Sequence, residues 1–288
     1  ITYGAFIQNT VKATKWLDVE TGFRTDYVID YGFSFLPRIS ALFKISDKLN
    51  SRVGGGLGYK TPTIFTEESE RIQYRNVRPI DSDSNSLEKS YGFNFDVNYK
   101  TNLTDELSLS INQLFFYTNV NKPLILTPIS STDSQFINID GFLDTKGAET
   151  NLKLEYKDFK LFVGYTFTDA SIKKDGMNFT NPLTAKHRLN NVLMYEVEEK
   201  WKVGLEAYYY SKQTLNDNTI GRDYWIFGVM IEKLWENFSI YANFENFTDT
   251  RQTKFGSIYT GPLTNPVFKD IYAPLDGFVV NAGIKIKL

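Results

Sequence analysis

The chain has 288 residues, a formal net charge of -2 and no cysteine, which excludes a globally basic nucleic-acid surface, disulfides, thiolate metal sites and a cysteine nucleophile. Aromatic residues make up 16% of it, as 23 Phe, 18 Tyr and 4 Trp, a loading that suits half-buried strands or aromatic belts at a membrane interface. No stretch reaches the ~18 apolar residues of a transmembrane helix and mean hydropathy is -0.31, so a membrane role would have to be carried by alternating strands, whose hydropathy signal is weak.

The dominant period along the chain is two. Strands are predicted at 2–9 and 15–24; in the second, Leu17, Val19, Thr21 and Phe23 oppose Asp18, Glu20, Gly22 and Arg24. Two more follow at 37–45 and 49–59, with Gly54, Gly55 and Gly56 interrupting the latter. The strand at 88–100 sets Tyr91, Phe93, Phe95, Val97 and Tyr99 against Gly92, Asn94, Asp96 and Asn98. Strands at 106–118, 146–157, 159–169 and 187–197 come next; in the first of these, Gln113 shares the face of Leu109 and Ile111, and a bulge is expected within 113–117. The strand at 200–211 sets Trp201, Val203, Leu205, Ala207 and Tyr209 against a polar and tyrosine face, and strands at 222–234, 238–246 and 277–288 complete thirteen. In the last, Phe278, Val280, Ala282, Ile284, Ile286 and Leu288 share a face opposite Lys285 and Lys287.

The connections alternate. Those near 10–14, 46–48, 101–105, 158, 198–199 and 235–237 are short and polar, and those near 25–36, 60–87, 119–145, 170–186, 212–221 and 247–276 are long. Tight periplasmic turns and long outer loops are the habit of bacterial outer-membrane barrels, whereas a soluble sandwich has no reason to sort its loops by length. The expectation is an all-β fold, a transmembrane antiparallel β-barrel with its short turns at the periplasmic side. Trp16, Trp201, Trp235 and Phe238 all lie beside short turns and suit the inner aromatic girdle. Such barrels have an even strand number and both termini inside, so an odd number of strands is expected before Ile1, and residues 1–288 read as the C-terminal portion of one barrel domain.

Several strings, in order, resemble those of TonB-dependent outer-membrane receptors of the ferric-siderophore type: Gly58-Tyr59-Lys60-Thr61-Pro62, Leu87-Glu88-Lys89-Ser90, Lys146-Gly147-Ala148-Glu149, Gly164-Tyr165-Thr166-Phe167-Thr168-Asp169, Pro182-Leu183-Thr184-Ala185-Lys186-His187-Arg188 and Glu245-Asn246-Phe247-Thr248-Asp249. The resemblance implies about the last 13 strands of a 22-stranded barrel whose plug domain is not in this chain. It implies a receptor in a Gram-negative outer membrane that imports a scarce nutrient, foremost an iron complex, with energy from a TonB complex acting through the plug. The implied partners are outer-membrane lipid, that complex, a small metal chelate and a surface lipoprotein, with no nucleic acid, no resident cofactor or metal and no catalytic residue. Where many such barrels end in an aromatic residue, this chain ends in Leu288. The alternative is a passive porin or other non-energised barrel, which would lack a plug.

Candidate ligand residues fall in two groups. Arg71, Tyr74, Arg75 and Arg78 sit in the long loop 60–87, where Arg donors and an aromatic surface would suit an anionic chelate; Glu67, Glu68 and Glu70 beside them offer internal salt bridges instead. Tyr208, Tyr210, Arg222 and Tyr224 have the parity of the lumen near the outer end of adjacent strands, and Arg24 is similarly placed. His187, the only histidine, reads as structural at a strand start. Asp81, Asp83 and Asn85 alternate but lack the glycine and closing glutamate of a calcium loop.

Overall fold

The computed structural model describes every residue except 131 and 288, and every side chain among them except those of Glu67 and Arg71. In chain order its elements are β1 (Thr2–Lys12), β2 (Leu17–Val28), β3 (Gly32–Lys44), β4 (Leu49–Lys60), α1 (Glu67–Arg71), β5 (Glu88–Asn102), β6 (Leu107–Asn121), β7 (Leu124–Pro128), β8 (Ser134–Asn138), β9 (Gly141–Tyr156), β10 (Phe159–Lys174), β11 (Met177–Thr180), β12 (His187–Val197), β13 (Trp201–Tyr210), β14 (Tyr224–Leu234), β15 (Phe238–Glu245), a 3₁₀ turn (Gln252–Lys254), β16 (Tyr259–Thr260), β17 (Val267–Phe268) and β18 (Val279–Ile286). A single antiparallel wall runs β1-β2-β3-β4-β5-β6-β9-β10-β12-β13-β14-β15-β18, with β11 folded back on β10. These thirteen wall strands are the thirteen read from the period of two. The remaining small strands pair within loops, β7 with β8 and β16 with β17.

Register shows why the alternation is so regular. One row crosses seven strands: Leu154, Leu161, Leu193, Leu205, Val229, Phe244 and Val280 are successive cross-strand partners from β9 to β18. Leu193, Leu205 and Val280 in that row are 39%, 49% and 52% exposed, so this face is not packed against any other described part of the chain. A continuous apolar band of that extent is unstable against water and calls for a nonpolar surround. Among the described residues no helix is long and apolar enough to cross a membrane; any crossing falls to the strands.

The opposite face is polar, and its charges are paired near the short turns. Glu196 sits between Lys160 at 2.7 Å and Lys202 at 2.8 Å. Glu232 accepts from Ser239 and Lys285, and Asp18 pairs with Lys44 at 2.6 Å. The aromatic belt lies beside the same turns on the apolar face: Trp235 stacks on Phe238 at 4.7 Å, Trp16 on Phe43 at 6.2 Å, and Lys233 lies 4.5 Å from the Trp201 ring.

Four sequence expectations need correction. The first outer connection is not a long loop over 25–36: β2 and β3 run on to Val28 and from Gly32, and a three-residue turn joins them, with Asp30 and Gly32 at φ of 70° and 80°. The alternation survives there because Tyr27 packs on Phe33 at 5.0 Å; the interspersed aspartates masked it. The bulge expected at 113–117 is absent, since β6 keeps unbroken register with β5 and β9. Gln113 is held on the apolar face by the Thr150 hydroxyl, which donates to Gln113 Oε1 at 2.6 Å, while its amide donates to Glu149 O. Gly54, Gly55 and Gly56 do not interrupt β4, which pairs through them. The last strand is assigned from Val279 to Ile286, and Leu288 lies outside the described residues.

The buried apolar residues, Val28, Leu87, Phe136, Ile139, Ala170, Tyr224 and Ala273, all lie in or beside the outer connections. The core of the described molecule is therefore at the loop end, and that is where a site can be built.

Candidate functional site

Two loop clusters rise from the wall. The first joins residues 61–87 to the β7–β8 hairpin. Thr66 caps α1 by accepting from Ser69 N, and Ser69 is fully buried. Phe136, at 1% exposure, is the centre of this cluster, and the Asn85 amide donates to Phe136 O at 2.8 Å. Arg78 N donates to Ser134 O, and its guanidinium lies 3.5 Å from Asp133. Glu88, buried at the start of β5, accepts from Leu124 N and faces Lys60 at 3.5 Å, so two of the strings noted in the sequence, 58–62 and 87–90, meet here. Asp81 and Asn85 are engaged in turn bonds, Asp83 N and Asn85 N donating to Asp81.

The second cluster is the last long connection, 246–278, folded over 211–223. Asn246 (φ 49°) makes its entry turn, exchanging bonds with Thr250, and Phe247 N donates to Phe227 O. Its hub is buried Gln252, whose amide donates to Asp270 O at 2.6 Å and whose Oε1 accepts from Tyr272 N and Ala273 N. Asp270 in turn accepts from Asn216 N and Nδ2 at 2.6 and 2.9 Å. In the tip of 211–223, two bonds from Thr219 hold the Asp217 carboxylate below its usual pKa, with Lys269 adding a smaller pull.

Between the two clusters lies an open cavity of about 690 Å³. Glu68, Glu70 and Gln73 line it from the first cluster, residues 181–184 from the connection before β12, and Asn216 with 268–271 from the second. The Arg75 guanidinium reaches across to Asn265 Oδ1 at 3.2 Å. A further cavity of about 600 Å³ runs along the polar wall beside Glu206, Tyr208, Met230 and Glu245.

The predicted ligand residues are not gathered in one place. Tyr210 and Tyr224 do meet, stacked at 5.1 Å, but Tyr224 is buried, donating to Tyr272 O, and the Arg222 guanidinium lies over Phe255. These three anchor the last loop to the wall. Tyr208 donates to Glu206 and lines the deeper cavity. Arg24 donates to Asp26, which also accepts from Tyr59. Tyr74 packs on Phe65, and the side chain of Arg71 lies outside the described residues. The His187 ring nitrogen is bonded to Tyr165 at 2.8 Å, and its ring lies near Phe167. The cavity residues Asn181, Asn216, Lys269 and Asp270 went unselected in the sequence because they are isolated polar positions in different loops, and only the loop fold brings them together. Glu68 and Glu70 were seen only as neighbours for arginine.

A family model, TonB dependent receptor-like, beta-barrel, matches residues 1–247. No curated protein matches the chain. Among solved structures, the ferric enterobactin receptor PfeA of Pseudomonas aeruginosa is similar at TM-score 0.71 and 16% identity, over 98% of this chain and 44% of its own. The siderophore receptor PirA of Acinetobacter baumannii is similar at 0.69 and 14%, over 99% and 45%. The FrpB iron transporter of Neisseria meningitidis is similar at 0.68 and 11%, over 98% and 44%. The wall therefore has the fold of a section of such a barrel, and the chain spans less than half the length of these structures.

Proposed function

The chain belongs to the TonB-dependent receptor-like β-barrel family, and from that premise we propose that it forms the wall and outer mouth of an outer-membrane receptor that captures an iron chelate and imports it with TonB-coupled energy. Supporting this is the division of the molecule into a wall that is apolar on one face and a loop end that carries the buried apolar residues among those described and a three-walled cavity. The wall is the membrane-spanning part, because every backbone group in lipid must be paired within the protein and the strand ladders do this at every strand between the two ends of the wall, β1 and β18. The loop end is the capture surface. The relatives' names, ferric enterobactin receptor, siderophore receptor and iron transporter, support iron as the cargo. Contact with the TonB complex would lie in a plug, and a surface lipoprotein partner would dock on the loop clusters. The polar wall with its paired charges would bound the path. No bond in the cargo is broken in this reading.

The test is uptake of ⁵⁵Fe-chelates by iron-limited cells with and without the full-length gene. Loss of uptake on deletion, and an equal loss on adding a proton ionophore, is the expected result. Gene-dependent uptake that ignores the ionophore would instead mean passive, porin-type passage. Uptake unchanged by deletion would overturn the iron reading.

A further inference from the structure

Arg188 closes the string 182–188 noted in the sequence. It lies on β12 five residues before Leu193, hence on the opposite, polar face of the wall, between its cross-strand partners Thr166 and Tyr210. Arg75, Arg78 and Arg222 are engaged with Asn265, Asp133 and the Phe255 ring. The Arg188 guanidinium, by contrast, has no acid, amide or ring partner among the described residues, and the residue is exposed. It lines a cavity of about 360 Å³, bounded by Thr168, Arg188 and Tyr210 of the wall on one side and by residues 183–185 and 271–273 on the other. Gln213 and Tyr224, both buried, hold the second cluster in place there by donating to Tyr272 O at 3.1 and 2.9 Å, so the cavity is preformed. Arg188 is the one charged group in its lining. The acids nearest in sequence to that lining are engaged elsewhere: Asp169 pairs with Lys146 and Lys186, and Asp270 accepts from Asn216. Leu183, Thr184 and Ile271 line both this cavity and the larger one between the clusters, so the smaller continues the larger down to the wall.

We propose that the smaller cavity is a subsite for a free carboxylate carried by the cargo, with Arg188 as its recognition group; this rests on the mouth capturing an iron chelate, as proposed above. A guanidinium with no internal partner keeps its N–H donors for a ligand and presents two of them in parallel to a carboxylate. Leu183, Ala185, Ile271 and Ala273 supply the apolar surround that ligand pockets usually have around a few polar groups. A volume of about 360 Å³ is near the lower end for small-molecule sites. It therefore takes one arm of a chelate, while the body of the complex occupies the larger cavity that it adjoins.

The experiment is equilibrium binding to the full-length receptor in detergent, read by ⁵⁵Fe retention. Two probes are compared: a ferric linear trihydroxamate ending in a free carboxylate, and the same complex with that carboxylate converted to a primary amide. The acid is expected to bind about tenfold more tightly than the amide, as one charge-assisted contact at an open site would give, and the difference to shrink at high salt as screening grows. Arg188→Met should bring the acid down to the affinity of the amide and leave binding of the amide unchanged; Arg188→Lys should keep part of the preference. Equal binding of the two forms, a preference untouched by Arg188→Met, or loss of both forms in that variant overturns the subsite and leaves an iron-chelate receptor standing. Retention of neither form by the parent also overturns the subsite, and the uptake experiment above then decides the iron reading on its own.

Discussion

The two loop clusters face each other across the same cavity but are held together by different physics. The first has a small hydrophobic centre, with Phe136, Leu87 and Ile139 buried, and Val28 buried at the outer end of the wall. The second has almost none, and its organisation runs through buried polar side chains, Gln252, Asp270 and Gln213, with backbone groups as their partners. Apolar burial is non-directional and tolerates small shifts, whereas a hydrogen-bond hub fixes one geometry and fails sharply when a partner is lost. The first cluster is thus a miniature domain, and the second is a strap latched to the wall at Tyr224.

The largest effect expected from breaking this contrast is in the first cluster. Phe136→Ala removes its central ring and should cost ~3–5 kcal/mol, the range for large buried aromatics. Because that cluster is local, the loss should appear as rapid hydrogen exchange over 61–87 and 122–140 in the full-length receptor, with the wall strands and 246–278 still protected. Simultaneous loss of protection in both clusters would show that they form one unit and dissolve the comparison.

The second cluster should respond to a change that barely alters volume. Gln252→Leu leaves Asp270 O, Tyr272 N and Ala273 N without their side-chain partner, and each stranded buried group costs ~1–3 kcal/mol. Part of this is recovered if water enters, so a net loss of about 2–3 kcal/mol is expected. Exchange protection should fall over 246–278 and the tyrosine latch should open. Limited proteolysis then cuts within 255–270 in the variant and not in the parent. If an apolar side chain of similar size leaves protection unchanged, this cluster is held by burial after all.

The wall was legible in the sequence because a strand with one apolar and one polar face writes its alternation into every second residue; thus all thirteen strands were found, while the cross-strand row through Leu193 and Leu205 came only from the fold. Where the reading failed, the local signal was ambiguous. The span 25–36 was read as loop, although Asp26 is a buried wall residue bonded to Arg24 and Tyr59 and the chain turns only at 29–31. Gln113 suggested a bulge, although Thr150, 37 positions away, satisfies it within the wall. The candidate site was scarcely legible at all. Tyr224 and Arg222 looked available by parity, but a loop much further along the chain engages both: Tyr224 is buried against it, and the Tyr272 hydroxyl, 50 residues beyond Arg222, accepts from the Arg222 backbone N–H. The charge of the cavity depends on which loop tips meet, and no period records that.

The smallest effect tests whether the clusters are coupled across the cavity. Arg75 to Asn265 is an exposed side-chain bond between them, and exposed polar contacts of this kind contribute ~0–1 kcal/mol. Arg75→Ala should therefore leave the exchange protection of each cluster, taken separately, unchanged to within measurement. Its effect should appear in the relation between them: a spin label on each side of the cavity, at Gln73 and Lys269, should report a broader distance distribution in the variant. The two positions line opposite walls of the cavity, so broadening there means that its width is set by contacts weak enough for a ligand to rearrange. A distribution as narrow as the parent's would mean that the clusters are positioned by the wall alone, each through its own attachment, Glu88 for the first and Tyr224 for the second. The double variant Arg75→Ala with Gln252→Leu separates these cases further. Independent clusters give effects that add, whereas a larger combined broadening assigns the bridge a share in holding the strap closed.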